Sequence, residues 1–277
     1  MGEVNCQVDM HIHTSASDGT WTGEELLERI IEKDIKVFSI TDHDIIKNSL
    51  KIINSIPNDI YYVIGAEISC TYNDQEYHIT AYDFDYKNVE LQELLKFNML
   101  QRNENNTAII QYLKRINRLV DIEDYFTYEP EGSRGGWKSL NYLLDKNIIE
   151  DMAGYFEIMK RSNERLCFKE PKDVIDIINA AGGCSFLAHP SAYKKGEKLP
   201  LKVLEEWKDY GISGIECYSP YLDNMEDAKY YVRFCNENNL MNSAGSDCHG
   251  EFNNRTLGIP KGTMNDVRLD FINNRRS

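Results

Sequence analysis

No apolar run in the 277-residue chain approaches the roughly 20 residues that a membrane-spanning helix needs. The N-terminus has no basic segment followed by an apolar one, so a secretory leader is not expected. Basic residues are in the minority. Lys and Arg number 31 against 45 Asp and Glu, a formal net charge of −14. A long nucleic-acid track needs a basic surface to neutralise phosphates and is therefore not expected. A small phosphorylated substrate stays open, because a local metal cluster can override the overall field. The seven cysteines are odd in number and include no CxxC pair, which points to reduced thiols in a cytoplasmic protein rather than a disulfide framework. Internal repeats and low-complexity tracts are also missing. What remains is an ordinary globular composition, 42% hydrophobic and 27% charged, long enough for one large α/β barrel domain or two small ones.

The chain alternates strand and helix patterns over most of its length. Residues 4–12 read as a strand. Thr22-Gly23-Glu24-Glu25 reads as a capping box opening a helix through about Lys33. Lys36–Ile40 is a short buried strand ending in Thr41-Asp42-His43-Asp44, and a helix over about Ile45–Ser55 is stopped by Pro57. Tyr61–Ile64 is a third strand ending in Gly65-Ala66-Glu67, and Ile68–Tyr82 is a hairpin around Asn73-Asp74 that carries His78. From about 89 to 170 the pattern turns helical, with a glycine-punctuated loop at Glu131-Gly132-Ser133-Arg134-Gly135-Gly136-Trp137-Lys138. This region reads as a helical insertion in a single barrel domain spanning residues 1–277. After a helix over about Pro171–Ala181, strands are expected at 184–188, ending in His189-Pro190, at 212–215, ending in Glu216, and at 241–245, ending in Ser246-Asp247-Cys248-His249.

Five of the six histidines, His11, His13, His43, His189 and His249, fall at or just past a predicted strand's carboxyl end, and His78 lies within a strand. Asp18, Asp42, Glu67, Glu216 and Asp247 occupy similar ends. In a β/α barrel those ends form one face, on which active sites are built. Residues i and i+2 of a strand share a face, so His11 and His13 can converge on one point. Imidazole with carboxylate and no thiolate favours Zn, Mn, Fe or Co over a structural cysteine-rich zinc site. The ligands exceed the needs of one ion, so two or three divalent ions sharing a carboxylate are expected. Such a cluster suits hydrolysis of a phosphate ester.

His11-x-His13 with Ser17-Asp18-Gly19, Thr41-Asp42-His43-Asp44, Gly65-x-Glu67, Ala188-His189-Pro190 and Ser246-Asp247-x-His249 together resemble the motif series of the polymerase and histidinol phosphatase (PHP) family. The motifs run in order from residue 9 to residue 250. The resemblance implies a distorted seven-stranded (β/α) barrel and a metal-dependent phosphoesterase using Mn, Zn, Fe or Mg, with a water or hydroxide bridging the ions as nucleophile. It implies one ion on His11, His13, Glu67 and Asp247, and a second sharing Glu67 with His78 and His189. A third would sit on Asp18, His43 and His249. Asp42 and Asp44 would orient imidazoles or backbone rather than bind metal. Asp18-Gly19 and the insertion look most like the branch that removes the 3′-phosphate of nucleoside 3′,5′-bisphosphates, some members of which trim short RNA from its 5′ end. An arginine of the insertion loop holds substrate phosphate in that branch, and Arg134 stands in its place. Gly135-Gly136-Trp137 follows it where a proline and a histidine are expected, and Asp44-Ile45 lacks the usual threonine.

Arg134, Asp247 and His249 are therefore the candidate catalytic residues, and Arg134, Glu216 and Lys194 the candidate substrate contacts. Each has a plainer reading. Asp18 could be a turn former, His78 a strand residue, Glu216 a buried acid paired with a lysine, and Lys194 and Lys195 solvated loop residues. Trp137 is more often packing than a base platform, and Cys248, between two ligands, should point into the barrel wall. Besides a nucleotide phosphatase, the sequence allows a histidinol-phosphate-type phosphatase and an exonuclease on short single strands, the latter supported by Lys114-Arg115-Arg118 and Lys160-Arg161-Arg165. A non-catalytic metal-binding module is the reading from a different class. Oligomeric state is not legible.

Overall fold

The structure is a computed structural model that describes residues 6–116, 119–132, 134–222 and 224–274. The first residues of the predicted opening strand, Arg118 of one basic cluster and Ser133 of the glycine loop lie outside them. The first strand, β1 (Gln7–Asp9), leads through the His11–Gly19 loop to α1 (Gly23–Glu32). The expected capping box is present: Thr22 Oγ1 accepts from Glu25 N at 3.2 Å, and Glu25 Oε2 accepts from Thr22 N at 2.8 Å. Leu26, Leu27 and Ile30 form the helix's buried face.

Next come β2 (Ile35–Ile40), a short α2 (Lys47–Lys51) with a 3₁₀ turn at Ile53–Ser55, then β3 (Tyr61–Tyr72) and β4 (Gln75–Tyr82). The expected third strand and the first arm of the hairpin are thus one continuous 12-residue strand, so Glu67 lies inside a strand rather than past its end. The polar triplet Gly65-Ala66-Glu67 looks like a strand terminus in sequence, but antiparallel pairing with β4 from Gly65 to Tyr72 carries the strand through it.

Four helices follow: α3 (Val89–Ile116), α4 (Ile122–Thr127), α5 (Lys138–Asp145) and α6 (Met152–Ser162). The remaining elements are α7 (Pro171–Ala180), β5 (Cys184–Leu187), α8 (Leu201–Asp209), β6 (Gly214–Tyr218), α9 (Met225–Glu237), β7 (Met241–Ala244), β8 (Gly262–Thr263) and α10 (Asp270–Asn274). No helix of the described residues is long and apolar enough to cross a membrane.

Among the described residues the strands make one mixed sheet in the order β7-β6-β5-β4-β3-β2-β1-β8. Pairing is parallel except for β3–β4, β4–β5 and β1–β8. The seven expected strands are β1–β7. The eighth has two residues, too few for any sequence pattern to reveal. The sheet curls until its two sides meet beyond the carboxyl ends of β1 and β7, where Met10 N donates to Ala244 O, Asp247 N to His11 O and His13 N to Cys248 O, all at 2.8–2.9 Å. Gly245 permits this approach, because a Cβ there would lie 2.3 Å from the His11 Cβ. The result is a distorted (β/α) barrel, as the resemblance implies.

Alternate residues sort into layers. Val8, Met10, Val37, Val63, Tyr82, Phe186 and Ala244 cluster with Val267, Leu269, Phe271 and Ile272 from the chain's end. Their strand neighbours Phe38 and Ile40 pack the other way, with Ile12, Leu26, Ile30 and Cys248. Cys248 is therefore in the barrel wall, as its position between two candidate ligands implies. The first half of α3 docks on the barrel through Leu91, Leu94 and Leu95, and its second half joins α4–α6 in a separate cluster around Ile109, Ile110, Tyr142 and Tyr155. At 28 residues α3 is about 42 Å long. It leaves the barrel and carries the other three helices over the strand ends.

Candidate metal centre and substrate cavity

All six histidines meet at the carboxyl end of the barrel, with Glu67 at the centre. His11 Nε2 and His13 Nε2 lie 3.1 Å apart, and each is 3.1–3.3 Å from Glu67 Oε2 and 3.2–3.5 Å from Asp247 Oδ1. On the other side of Glu67, Oε1 lies 2.9 Å from His78 Nδ1 and 2.8 Å from His189 Nε2, and Oε2 lies 3.0 Å from His43 Nδ1. A third set forms around Asp18, whose carboxylate is 3.3 Å from His249 Nε2, 3.5 Å from His13 Nδ1 and 3.8 Å from His43 Nε2. Among the described residues, three groups could therefore hold an ion: His11, His13, Glu67 and Asp247; His43, Glu67 and His78; and His13, Asp18, His43 and His249. The sets overlap those implied by the resemblance, with three differences, the first being that His189, although its Nε2 lies 2.8 Å from Glu67 Oε1, belongs to none of them. His13 faces two groups through its two ring nitrogens, and His43 stands between Glu67 and Asp18.

The backbone holds these side chains in unusual places. Asp44, His189 and Asp247 have positive φ values of 54°, 29° and 49°, sparsely populated for residues with side chains and frequent where a site fixes them. Asp42 takes no part in the groups. Its carboxylate accepts from Thr14 N at 2.7 Å, Thr14 Oγ1 at 2.6 Å and Ser17 Oγ at 2.7 Å, fixing the loop that presents Asp18. Asp44 likewise accepts from Ser69 N at 3.0 Å and Asn98 Nδ2 at 2.7 Å.

The donor set suits a cation. Buried Glu67 Oε2 and His43 Nδ1 each lack a hydrogen bond although 3.0 Å apart, as two lone-pair donors would be around a shared ion. Burial opposes charge on His11, His13, His43, His78, Asp18, Glu67 and Asp247. For His11 the carboxylates of Glu67, Glu216 and Asp247 overcome burial and hold the imidazole well above its ordinary value. The same contest lifts His13 to about 9 and His78 to about 10, whereas burial wins at His43 and lowers it. Against burial, the surrounding imidazoles hold Glu67, Asp18 and Asp247 below the usual carboxylate range. Protons on the raised imidazoles thus balance the buried carboxylates that an ion would otherwise balance.

The three expected substrate contacts have other positions. Glu216 is fully buried within β6 and hydrogen-bonds His11 Nδ1 at 2.6 Å, so it orients an imidazole rather than meeting a substrate. It is paired with a histidine and not with a lysine. Removing such a partner of a metal-facing histidine typically weakens metal binding about 10–100-fold. Glu216→Gln is expected to do so, measured by competition with a chromophoric chelator, and unchanged affinity would contradict this role. Arg134 pairs with Asp145, which also accepts from Tyr128 Oη at 2.6 Å, and it does not line the cavity described below. Lys194 is exposed at the end of a 3₁₀ turn, Pro190–Lys194, that follows His189.

The glycines after Arg134 have a clear purpose. Both have φ of 72°, Gly136 N donates to Asp18 O at 2.7 Å, and a Cβ on Gly135 would come within 3.0 Å of Asp18 O. The loop thereby rests on the strand-end loop that carries Asp18.

Between the cluster and the helices lies a cavity of about 540 Å³. Asp18, His43, Glu76 and His78 line its barrel side, and Trp137, Tyr155, Phe156 and Met159 its helical side. Two cations, Arg102 and Lys138, also line it. Sequence reasoning missed Arg102, Glu76 and a third arginine, Arg255. Arg255 pairs with Asp247, lies 4.6 Å from the Tyr221 ring centre and, with Tyr221 Oη at 2.8 Å, fixes Asp247 from outside. Only its closeness to the Asp247-x-His249 motif could have signalled it.

The PHP-domain profile matches residues 9–161. The chain belongs to the PHP family. It is a metal-dependent phosphoesterase, and its His, Asp and Glu cluster could hold the metal. A 5′-3′ exoribonuclease of Haemophilus influenzae is 28% identical to this PHP protein over 262 residues, covering 87% of this chain and 89% of that one. A 3′,5′-nucleoside bisphosphate phosphatase of Chromobacterium violaceum is 24% identical over 251 residues, covering 87% of each. A solved structure from Bifidobacterium adolescentis, called a metal-dependent phosphoesterase, matches with a TM-score of 0.75 at 19% identity, covering 97% of this chain and 94% of that one. At that identity the likeness is one of fold.

Proposed function

We propose that this PHP protein hydrolyses a phosphate monoester on a small nucleotide, such as the 3′-phosphate of a nucleoside 3′,5′-bisphosphate. One observation carries the reading: the same cavity wall that bears Asp18, His43 and His78 faces an aromatic group, Trp137, Tyr155 and Phe156, across a volume suited to one nucleotide. A base can stack on the helical side while its phosphate reaches the strand ends. Two or three divalent ions, drawn from Mn, Zn, Fe or Mg, would polarise the phosphoryl oxygens and supply a nucleophilic water at neutral pH. His11, His13, Glu67 and Asp247 would hold the first, Glu67 with His43, His78 and His189 the second, and His13, Asp18, His43 and His249 the third. The chain's own residues orient these groups. Glu216 and Glu76 hold His11 and His78 in place, and Arg255 with Tyr221 fixes the Asp247 carboxylate. The bond between phosphorus and the ester oxygen breaks, releasing inorganic phosphate and a nucleoside 5′-phosphate.

We read the four helices α3–α6 as a cap carried by a single barrel domain, and the seven unpaired cysteines as those of a cytoplasmic protein. Arg134, released from Asp145, remains the candidate of this loop for substrate phosphate. The Haemophilus relative's name favours a second reading, exonucleolytic trimming of short RNA. Against it, the chain's net charge is −14, and Lys114 and Arg161 of the two basic clusters pair with Asp121 and Glu157.

A panel assay with added Mn²⁺ separates the readings. It would compare nucleoside 3′,5′-bisphosphates, mononucleotides, histidinol phosphate and 5′-phosphorylated short RNA. The expected result is the highest kcat/KM on the bisphosphates, with little dependence on salt. Faster turnover of the RNA, with a steep fall as salt rises, would instead support trimming. No turnover of any phosphate monoester or of the RNA by the metal-loaded protein would overturn both.

A further inference from the structure

Arg102 projects from the cap helix α3 into the cavity, yet its guanidinium is engaged on the barrel. Nε donates to Asp44 Oδ2 at 3.1 Å, and Nη2 donates to Glu76 Oε1 at 2.6 Å and to Ser69 Oγ, while the side chain lies against Phe168 with 5.2 Å to the ring centre. Both carboxylates lead to imidazoles. Glu76 Oε1 also accepts from His78 Nε2 at 2.9 Å, which fixes a ring proton on Nε2 and turns Nδ1 toward Glu67 Oε1 at 2.9 Å. Asp44 directly follows His43, and its backbone N donates to Glu67 O at 2.8 Å. The rings of His43 and His78 lie 5.0 Å apart, each with Nδ1 within 3.0 Å of Glu67.

We propose that Arg102 is a positioning residue that sets the His43–Glu67–His78 ion site from the cap helix. A simple brace between cap and barrel is already supplied elsewhere. One turn earlier, Asn98 Nδ2 donates to Asp44 Oδ1 at 2.7 Å and to Ser69 O at 2.9 Å, and Leu91, Leu94 and Leu95 bury against the barrel. A buried ion pair adds little stability over such packing. Arg102 adds the link to Glu76, and through it the orientation of His78. Ion affinity at this site then depends on the seating of α3, whereas the His11–His13–Asp247 side, oriented by Glu216 and Arg255, does not.

The inference rests on the metal reading of the proposed function, and titration calorimetry of the metal-free full chain with Mn²⁺ separates the two. Wild-type protein that takes up no ion overturns the metal reading, and this inference with it. Given wild-type uptake of two or more ions, Arg102→Met and Glu76→Gln are each expected to weaken one class of site about 10–100-fold and leave another within about twofold. Arg102→Lys should recover part of the loss, because an ammonium keeps the charge without the fork that spans both carboxylates. Circular dichroism checks folding. If Arg102→Met does not fold, Glu76→Gln decides. Wild-type titration curves for Arg102→Met, or for Glu76→Gln where only that variant folds, would reduce Arg102 to a cap brace and overturn the inference.

Discussion

Glu67→Gln is expected to lower kcat/KM on the preferred phosphate monoester by on the order of 10³-fold or more and to remove the tightly held metal. The size follows from position. Glu67 is fully buried, and its two oxygens lie within 3.3 Å of nitrogens from His11, His13, His43, His78 and His189. An amide keeps the shape but offers one uncharged acceptor, and its NH₂ group faces imidazole lone pairs. Two of the three candidate ion groups contain Glu67 and would lose their shared carboxylate. The metal-free protein should suffer as well, since Glu67 is a counter-charge for His11, His13 and His78. Stripping one partner from a buried charged group costs about 3–5 kcal/mol. Steady-state kinetics, metal analysis and urea unfolding in chelator check the three parts. Near wild-type turnover with full metal content would show that Glu67 is not the shared ligand.

The second large effect is a stability that depends on pH in opposite ways with and without metal. In the metal-free protein His13 and His78 are raised from 6.5 to about 9 and about 10, and His11 is also raised. A raised histidine stabilises the fold fully below its unfolded value, near pH 6.5, and the contribution is lost as pH climbs through the folded value. Glu67, Asp18 and Asp247 are depressed, so their contribution is present above about pH 4.5 and disappears in acid. The metal-free chain should therefore be most stable between about pH 4.5 and 6.5, with a Tm that falls from there to pH 10. Metal ligation needs neutral imidazole, so ion affinity rises over the same alkaline window. The Tm gain on adding Mn²⁺ should grow from pH 6 to pH 9. Loading at pH 7 should release protons, from His13 and His78 among others, read by calorimetry in buffers of different ionisation enthalpy. A metal-induced Tm gain that shrinks with rising pH would contradict the proton-for-metal exchange.

The candidate ligands were legible in the sequence because each sits where local rules apply. His11 and His13 are two residues apart, and His43, His189 and Asp247 fall two or three residues past the short strands β2, β5 and β7. The barrel was legible for the same reason, through alternation and the Thr22–Glu25 capping box. What could not be read is what depends on pairing across distance. Antiparallel pairing with β4 carries β3 through Gly65-Ala66-Glu67, and the two-residue β8 exists only because Gln7 and Val8 receive it. The orienting residues were hidden likewise. Glu216 meets His11 across 205 positions, and Arg102 meets Glu76 across 26, so no local pattern joins them. Arg134 shows the converse: its place in a motif series identifies the loop, but the side chain's partner, Asp145, is set by how α5 packs.

The central claim is that the strand-end cluster is a multi-ion centre facing a nucleotide-sized cavity. Anomalous diffraction at the manganese edge, from crystals of the full chain soaked in Mn²⁺, tests it most directly. The account predicts at least two peaks, one within bonding distance of His11, His13, Glu67 and Asp247 and another on the far side of Glu67 beside His78. A single peak away from Glu67, or none in the cluster at saturating Mn²⁺, would contradict it.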